Sequence, residues 1–277
     1  MTSADATGPA AAHTPDLLAR LAGLDGVEAA VEAARTACEE LRWHPAMRRR
    51  SAQVRAEAGV WQAWASARLE GAVLPVEAFR AAGVGARPLP SDPVGKVAAG
   101  ALRAGALADQ LAADGGRVLR SAPAQALARL HLAAAQGLVA ADDVGRPRSE
   151  PGVTVRLGRV RELLAGTTQA PAVVLAAIVQ AEIHTMQPFV GSNAVVARAL
   201  GRAVTIGWGL DPMGAAVPDV VLAEDPSALA QAAQGYAEGG SAGVAAWLCF
   251  YADAVAQGAR RGADLAGSVI SGRPLRA

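Results

Sequence analysis

Apolar residues recur at helical spacing along most of the chain, and few of them are aromatic. Hydrophobic residues make up 52% of the 277 residues but aromatic residues only 4%, so the apolar side chains are mostly those of alanine, leucine and valine. Leu17, Leu18 and Leu21 begin a run in which apolar residues return every three or four positions, which is the period of an amphipathic helix. Small, helix-favouring side chains let helices pack closely. These patterns predict an all-α protein.

Charge balance and cysteine content restrict the partners of the chain. It has 26 Lys+Arg and 25 Asp+Glu, a formal net charge of +1, so its electrostatics do not point to a nucleic acid or an anionic membrane. Cys38 and Cys249 lie in no C-x-x-C pair, which argues against a zinc site or a disulfide framework. Residues 1–12 lack the features of a signal peptide, and the longest apolar run, 170–179, is about half of a roughly 20-residue membrane span. We therefore expect a cytoplasmic protein with no metal, no membrane partner and no nucleic-acid partner.

Breaks in the helical pattern divide the chain into four parts. We expect a disordered tail over residues 1–13, an N-terminal helical region over 14–91, a helical core over 92–265 and a C-terminal tail over 266–277. The boundary near residue 91 lies in the stretch 84–93, where three prolines interrupt the helical pattern.

A second interruption falls at residues 145–156 (GRPRSEPGVTVR). This stretch contains two prolines, two glycines and an alternation around Val153 and Val155. Alternating apolar residues beside turn-forming residues are typical of strands. The stretch therefore predicts one short β-hairpin flap within the helical core.

The segment from Gln187 to Arg198 (QPFVGSNAVVAR) joins two predicted helices. One is expected to end near Met186 and the next to begin at Asn193, with a Pro-Phe turn and small residues between them. Small residues at a helix N-terminus expose backbone N–H groups at the positive end of the helix dipole, which favours an anion such as phosphate. Arg198 lies about one turn inside the second helix, within reach of such an anion.

This segment resembles the signature of the Fic (fido) family, H-P-F-x-(D/E)-G-N-G-R-x-x-R, without a gap. The residues that match are Pro188, Phe189, Asn193 and Arg198. The residues that depart are Gln187 in place of the catalytic histidine, Gly191 in place of the metal-binding acid, Ser192 and Ala194 in place of two glycines, and Val195 in place of the first arginine.

Other segments extend the resemblance over roughly residues 40–265. Residues 66–71 (SARLEG) are similar to the family's inhibitory motif, (S/T)-x-x-x-E-(G/N), and His131 followed by 145–148 (GRPR) is similar to the helix and flap entry of the family. Tyr236, Trp247, Phe250 and Tyr251 resemble residues of the closing helices. The resemblance implies a Fic-like helical core with a hairpin flap and additional N-terminal helices.

Fic proteins typically transfer AMP from ATP to a hydroxyl group of a target protein, so the resemblance implies a nucleotide ligand and a target or partner protein. Gln187 cannot accept a proton as a general base near neutral pH. Gly191 cannot ligate Mg²⁺, so we expect no magnesium held in the family manner. Val195 removes a phosphate-binding arginine. These departures predict a degenerate pseudoenzyme that acts as a nucleotide-binding or regulatory protein.

The resemblance also assigns roles to the remaining residues. Ser192, Asn193, Ala194 and Arg198 would bind the nucleotide phosphates, whereas Pro188 and Phe189 would pack the motif. In the family, the inhibitory glutamate pairs with the second arginine and blocks the γ-phosphate, which makes Ser66 and Glu70 regulatory here. The alternative is that a Glu70–Arg198 pair only holds the N-terminal helix to the core.

Two other functions stay open. His184, one helical turn before Gln187, is a candidate displaced base for an active nucleotidyl or phosphoryl transferase, although a half-buried packing role is the simpler interpretation. The other function left open is that of a purely structural, helical interaction protein. Trp61 and Trp64, three residues apart, pack between helices or form a homodimer interface.

Overall fold

The computed structural model describes residues 16–273, so the tail predicted for residues 1–13 lies outside it. Within this range the chain forms twelve α-helices and one short 3₁₀ helix, and no strand. The helices are α1 (Leu17–Leu21), α2 (Val27–Arg42), α3 (Met47–Leu69), α4 (Val76–Gly83), α5 (Pro93–Ser121), α6 (Pro123–Ala135), α7 (Pro151–Ala165), α8 (Ala172–Met186), α9 (Asn193–Gly207), α10 (Pro218–Leu222), α11 (Pro226–Glu238) and α12 (Gly240–Ser271), with the 3₁₀ helix at Ala141–Asp143. The all-α class predicted from the sequence is confirmed.

Proline and capping residues determine where several helices begin and end. α5, α6, α7 and α11 each have a proline in the first turn, where the missing N–H has no intrahelical partner to lose. The Asp92 carboxylate caps α5 by accepting a hydrogen bond from the Gly95 N–H at 2.7 Å. α3 ends just before Gly71, whose φ of +80° is a conformation that glycine adopts without strain.

Helices α8 and α9 lie at the centre of the molecule. Residues 195–207 of α9 and residues 173–181 of α8 are all buried. Because α8 is covered on every side, its sequence is apolar all round rather than amphipathic, which explains the long apolar run. No helix within residues 16–273 combines the length and apolarity needed to cross a membrane.

Glycines allow the closest contacts between helices. At Gly100 of α5, a Cβ atom would lie 2.2 Å from the carbonyl oxygen of Ala134 in α6. At Gly258 of α12, a Cβ atom would lie 2.5 Å from the backbone nitrogen of Pro218 in α10. The abundance of small residues in this sequence is therefore a packing requirement, since larger side chains would separate these helices.

The predicted β-hairpin flap at residues 145–156 is wrong. Pro151 begins α7 instead, and Val153, Leu157 and Val160 form one buried stripe along it. That stripe follows the helical period over several turns, which outweighs the brief alternation of Val153 with Val155. Val155 points to solvent with 56% of its surface exposed. Residues 146–150, before α7, have no regular secondary structure, so no two-stranded ribbon forms there.

Two short helices and one boundary are not predicted by the sequence pattern. α4 and α10 have only eight and five residues, too few to show a clear period. α12 continues past residue 265 to Ser271, and Ala266 is buried, so the last helix extends into the segment predicted as a C-terminal tail. Residues 274–277 lie outside the described range.

Candidate functional site

The turn between α8 and α9 has an unusual backbone. Gln187, which follows the last residue of α8, has φ of +48° and ψ of +63°, and Ser192, which precedes α9, has φ of +54°. Gly191 has φ of +71°, and a Cβ atom there would lie 3.1 Å from Cγ1 of Val139. Non-glycine residues adopt positive φ only at a cost, so neighbouring contacts must hold this turn in shape.

The Asn193 side chain closes the turn. Its Oδ1 accepts a hydrogen bond from the Phe189 N–H at 2.9 Å, and its Nδ2 donates to the Phe189 carbonyl at 2.8 Å. Pro188, Phe189 and Asn193 are all buried. In this conformation the Asn193 amide is occupied within the turn, so only its backbone N–H remains for a ligand.

His131 of α6 packs against the turn between α8 and α9. Its ring stacks on Phe189 with a centroid distance of 4.3 Å and an angle of 8° between the planes. Nδ1 accepts from the Gly145 N–H at 2.8 Å, which assigns the proton to Nε2 and makes it the donor to the Val190 carbonyl at 3.2 Å. Burial lowers the pKa of His131, which favours this neutral form. His131 therefore joins α6, the segment before α7 and the motif turn.

Arg148 donates three hydrogen bonds to backbone carbonyls of the same turn. Its backbone N–H donates to the Pro188 carbonyl at 2.7 Å, its Nε to the Gln187 carbonyl at 2.9 Å and its Nη2 to the Met186 carbonyl at 3.2 Å. A guanidinium at the C-terminal end of a helix satisfies carbonyls that have no intrahelical partner. The sequence marks Arg148 only as part of a flap, and its contact with the turn comes from the tertiary structure.

The start of α9 has free backbone donors. The N–H groups of residues 192–195 donate to no group in the part of the chain that the structure describes. α9 has fifteen residues, so its dipole places partial positive charge at these donors. Ser192 and Ala194 are half-buried, whereas Val195 is only 4% exposed. These donors are chemically suited to phosphate oxygens, as the sequence predicts for this position.

Arg198 of α9 is held by the end of α3. Its Nε donates to Ser66 Oγ at 2.9 Å, and its Nη2 donates to the Ser66 carbonyl at 3.0 Å and to Glu70 Oε1 at 2.8 Å. The Arg198 side chain is 4% exposed and that of Glu70 is 28% exposed. The contact between Glu70 and Arg198 that the resemblance implies is therefore present, together with Ser66.

His184 lies on α8 one turn before Gln187 and is half-buried. Its ring makes no hydrogen bond to any residue between 16 and 273, and neither does the exposed side-chain amide of Gln187. Burial lowers the pKa of His184, the charge of Arg198 lowers it further, and Glu70 opposes the shift. His184 is consequently a neutral imidazole near the Glu70–Arg198 pair at neutral pH.

Trp61 and Trp64 lie on the face of α3 away from Ser66. Trp61 and Trp64 meet edge to face, with ring centroids 5.4 Å apart. They line an open groove of about 1160 Å³ that α4, α10 and α12 complete. Both rings therefore contact neighbouring helices of the same chain, and their predicted role in a homodimer stays a prediction.

Known proteins match this chain by structure rather than by sequence. No family model matches it, and no curated protein matches it in sequence. A Fic family protein from Desulfovibrio desulfuricans is 16% identical and has a TM-score of 0.67, covering 89% of this chain and 76% of its own. Fic-1 from C. elegans is 15% identical with a TM-score of 0.66, covering 88% and 73%. A Fic domain containing signaling protein from Bacteroides thetaiotaomicron is 14% identical with a TM-score of 0.64, covering 89% and 100%.

The chain has the Fic fold. The likeness extends over nearly nine tenths of the chain, so it includes N-terminal helices as well as the core. At such low sequence identity, the structural likeness shows the fold alone. The assignment of Gln187, Gly191 and Val195 to altered motif positions stays a prediction from the sequence.

The side chains at the turn do not fit a divalent cation. Gly191, at the position that the resemblance assigns to a metal-binding acid, offers no carboxylate, and Mg²⁺ requires oxygen ligands. No group of three or more His, Cys, Asp or Glu side chains within residues 16–273 is arranged to hold a metal ion. The donors of this Fic-fold site are therefore backbone N–H groups and an arginine, which suit an anion.

Proposed function

We propose that this protein binds a nucleotide at the start of α9 and that Glu70 regulates the binding, without conventional AMP transfer. The observation that carries the proposal is the position of Arg198. It lies about one turn from the free N–H groups of residues 192–195, yet Glu70 and Ser66 occupy its guanidinium. In this arrangement, the contact with Glu70 keeps Arg198 from binding an anion at the start of α9.

The phosphates of a nucleotide would accept hydrogen bonds from the N–H groups of residues 192–195, where the helix dipole favours negative charge. Arg198 would add a charge-assisted bond once Glu70 leaves it, because a guanidinium binds phosphate and carboxylate in the same way. Glu70 is suited to leave since part of its side chain is exposed, whereas Ser66 is buried.

The same residues explain why AMP transfer is not proposed. A Gln187 amide cannot remove a proton from an attacking hydroxyl, which contributes roughly 10²–10⁴-fold to rate in enzymes that use a general base. Gly191 and Val195 supply neither a metal ligand nor a phosphate-binding cation. We assign the site to nucleotide binding, with a target or partner protein recognising the bound or free state.

Calorimetry with ATP tests the proposal on the wild-type chain, Glu70→Ala and Glu77→Ala. Glu77 is the control because it is a glutamate on the neighbouring α4, exposed and 3.4 Å from Arg80. We expect Glu70→Ala to bind ATP at least about tenfold more tightly than wild type, and Glu77→Ala to match wild type. ATP binding by none of the three proteins would favour a purely structural role and overturn the proposal.

His184 supports a second candidate function, a transferase with a displaced base. It is the histidine nearest in sequence to Gln187, and burial keeps it in the neutral form that can accept a proton. Labelled ATP and Mg²⁺ with Glu70→Ala, Glu70→Ala/His184→Ala and Glu70→Ala/Gln187→Ala separate the two functions. Label transfer that requires His184 but not Gln187 favours the transferase, and no label on any protein favours the pseudoenzyme.

A further inference from the structure

Gln62 and Ser66 of α3, and Glu70 directly after its last residue, follow one another at intervals of four positions. Gln62 Oε1 accepts a hydrogen bond from the Asp219 backbone N–H at 2.8 Å. One turn further, Ser66 accepts two bonds from Arg198, and one turn beyond that Glu70 accepts the third. Residues at i and i+4 share a helix face, so this stripe joins the start of α10 to the arginine of α9.

Asp219 lies at the inner end of the stripe. Its side chain is 8% exposed, and its Oδ2 is 3.9 Å from Arg198 Nε. Glu70 instead contacts Nη2, at the other end of the guanidinium from Nε. Arg198 is therefore placed between two carboxylates, one buried beneath it and one partly exposed.

We propose that Asp219 is a positioning residue that keeps the Arg198 guanidinium oriented toward the start of α9 after Glu70 has left. This inference rests on the proposed nucleotide site. Glu70 and a bound anion would compete for Nη2. Asp219 is buried beside Nε, so a bound anion would not displace it. Without Asp219, a released Arg198 would keep only its bonds to Ser66, and the buried positive charge would lose its inner partner.

The charged and titratable groups around Asp219 come from α9, α12 and the residue that follows α3. Arg198 and Arg202 of α9 favour its ionised form, its charge raises the pKa of Tyr251 of α12, and Glu70, just after α3, contacts Arg198 as well. Burial raises the pKa of Asp219 to about 6, and the two arginines limit the rise. The orienting charge is thus present at neutral pH and is lost as the pH falls below about 6.

The experiment measures ATP affinity for Glu70→Ala, Glu70→Ala/Asp219→Asn and Glu70→Ala/Asp211→Asn. Asp211 is the matched control because it is also a buried carboxylate whose pKa is raised by burial, but it accepts from the Ala216 N–H and does not contact Arg198. At about pH 7.5 we expect Asp219→Asn to weaken ATP binding about tenfold, and Asp211→Asn to change it by less than about twofold. Equal affinities for the folded Asp219→Asn and Asp211→Asn proteins would overturn the inference.

A second measurement uses no Asp219 variant and so does not depend on its folding. Affinity for inorganic sulfate, whose charge does not change over this range, is compared at about pH 7.5 and about pH 5.5 for Glu70→Ala and Glu70→Ala/Arg198→Ala, so that ligand titration does not contribute. We expect a larger loss of affinity on acidification when Arg198 is present, and equal losses would contradict the role of Asp219. If Glu70→Ala binds no ATP, the proposed function and this inference both fail, whereas ATP binding without an effect of Asp219 overturns only the inference.

Discussion

Glu70 Oε1 lies 2.8 Å from Arg198 Nη2, so the last residues of α3 are tied to the first turns of α9 across 128 positions of sequence. Ser66, one turn earlier on α3, adds two hydrogen bonds to the same guanidinium. The contact ties the end of α3 to the core and occupies the guanidinium that we propose for the anion site. If that proposal holds, stability and ligand binding are coupled at this arginine.

Arg198→Ala is expected to lower the free energy of unfolding by about 3–5 kcal/mol, because it leaves Asp219 buried without its nearest cation and removes the partner of Glu70. Arg261→Ala is the control, since Arg261 pairs with Glu224 at the surface, where such pairs contribute about 0–1 kcal/mol. Urea unfolding of the two variants checks the difference. Equal losses would show that the buried cluster contributes no more than a surface pair.

Gly100→Ala is expected to destabilise the protein by about 1–3 kcal/mol or more, since the new methyl group would overlap the Ala134 carbonyl oxygen and force α5 away from α6. Gly105, one turn and one residue further along α5, has open space around its Cα. Gly105→Ala should therefore raise stability by roughly 0.5–1 kcal/mol, the usual gain from replacing a helical glycine. Thermal unfolding of both variants tests the opposite signs, and a loss of stability in Gly105→Ala would contradict this account of the helix contact.

Gly191→Asp places an acid at the position that the resemblance assigns to a metal-binding acid, and we expect it to cost about 1–3 kcal/mol of stability. Its positive φ strains any side chain, and the new Cβ would press on Val139 Cγ1 at 3.1 Å. Gly137→Asp is the matched control, because Gly137 has φ of +82° with nothing within 4 Å of a Cβ atom. The excess loss in Gly191→Asp should disappear with Val139→Ala, and if it persists, contact with Val139 is not its cause.

His131 predicts a pH dependence of stability. Its pKa is lower in the folded protein than in the unfolded chain, so its contribution is complete above an unfolded pKa of about 6.5 and is lost as the pH falls through the folded value. Wild-type stability, measured by urea unfolding between about pH 7.5 and about pH 5, should fall more steeply than that of His131→Gln. Parallel curves for the two proteins would show that His131 is not buried in its neutral form.

Much of the helical architecture could be predicted from the sequence because helices follow from local patterns. Most of the apolar run at 170–179 lies in α8, the turn at Pro188 and Phe189 lies between α8 and α9, and Gly71 follows the end of α3. The hairpin prediction is wrong because the longer helical stripe that includes Leu157 outweighs the brief alternation at Val153 and Val155. Short helices such as α10 carry too few residues to show a period.

The sequence by itself determined the all-α class, the ends of the central helices and, through a resemblance, the partnership of Glu70 with Arg198. Only the tertiary structure decided that His131 and Arg148 support the motif turn and that Asp219 lies behind Arg198. Local periodicity depends on neighbours a few residues apart, whereas the bond from Asp219 to Gln62 joins residues 157 positions apart. Such contacts arise only when the helices pack, because packing determines which polar groups are buried together and must find one another as partners.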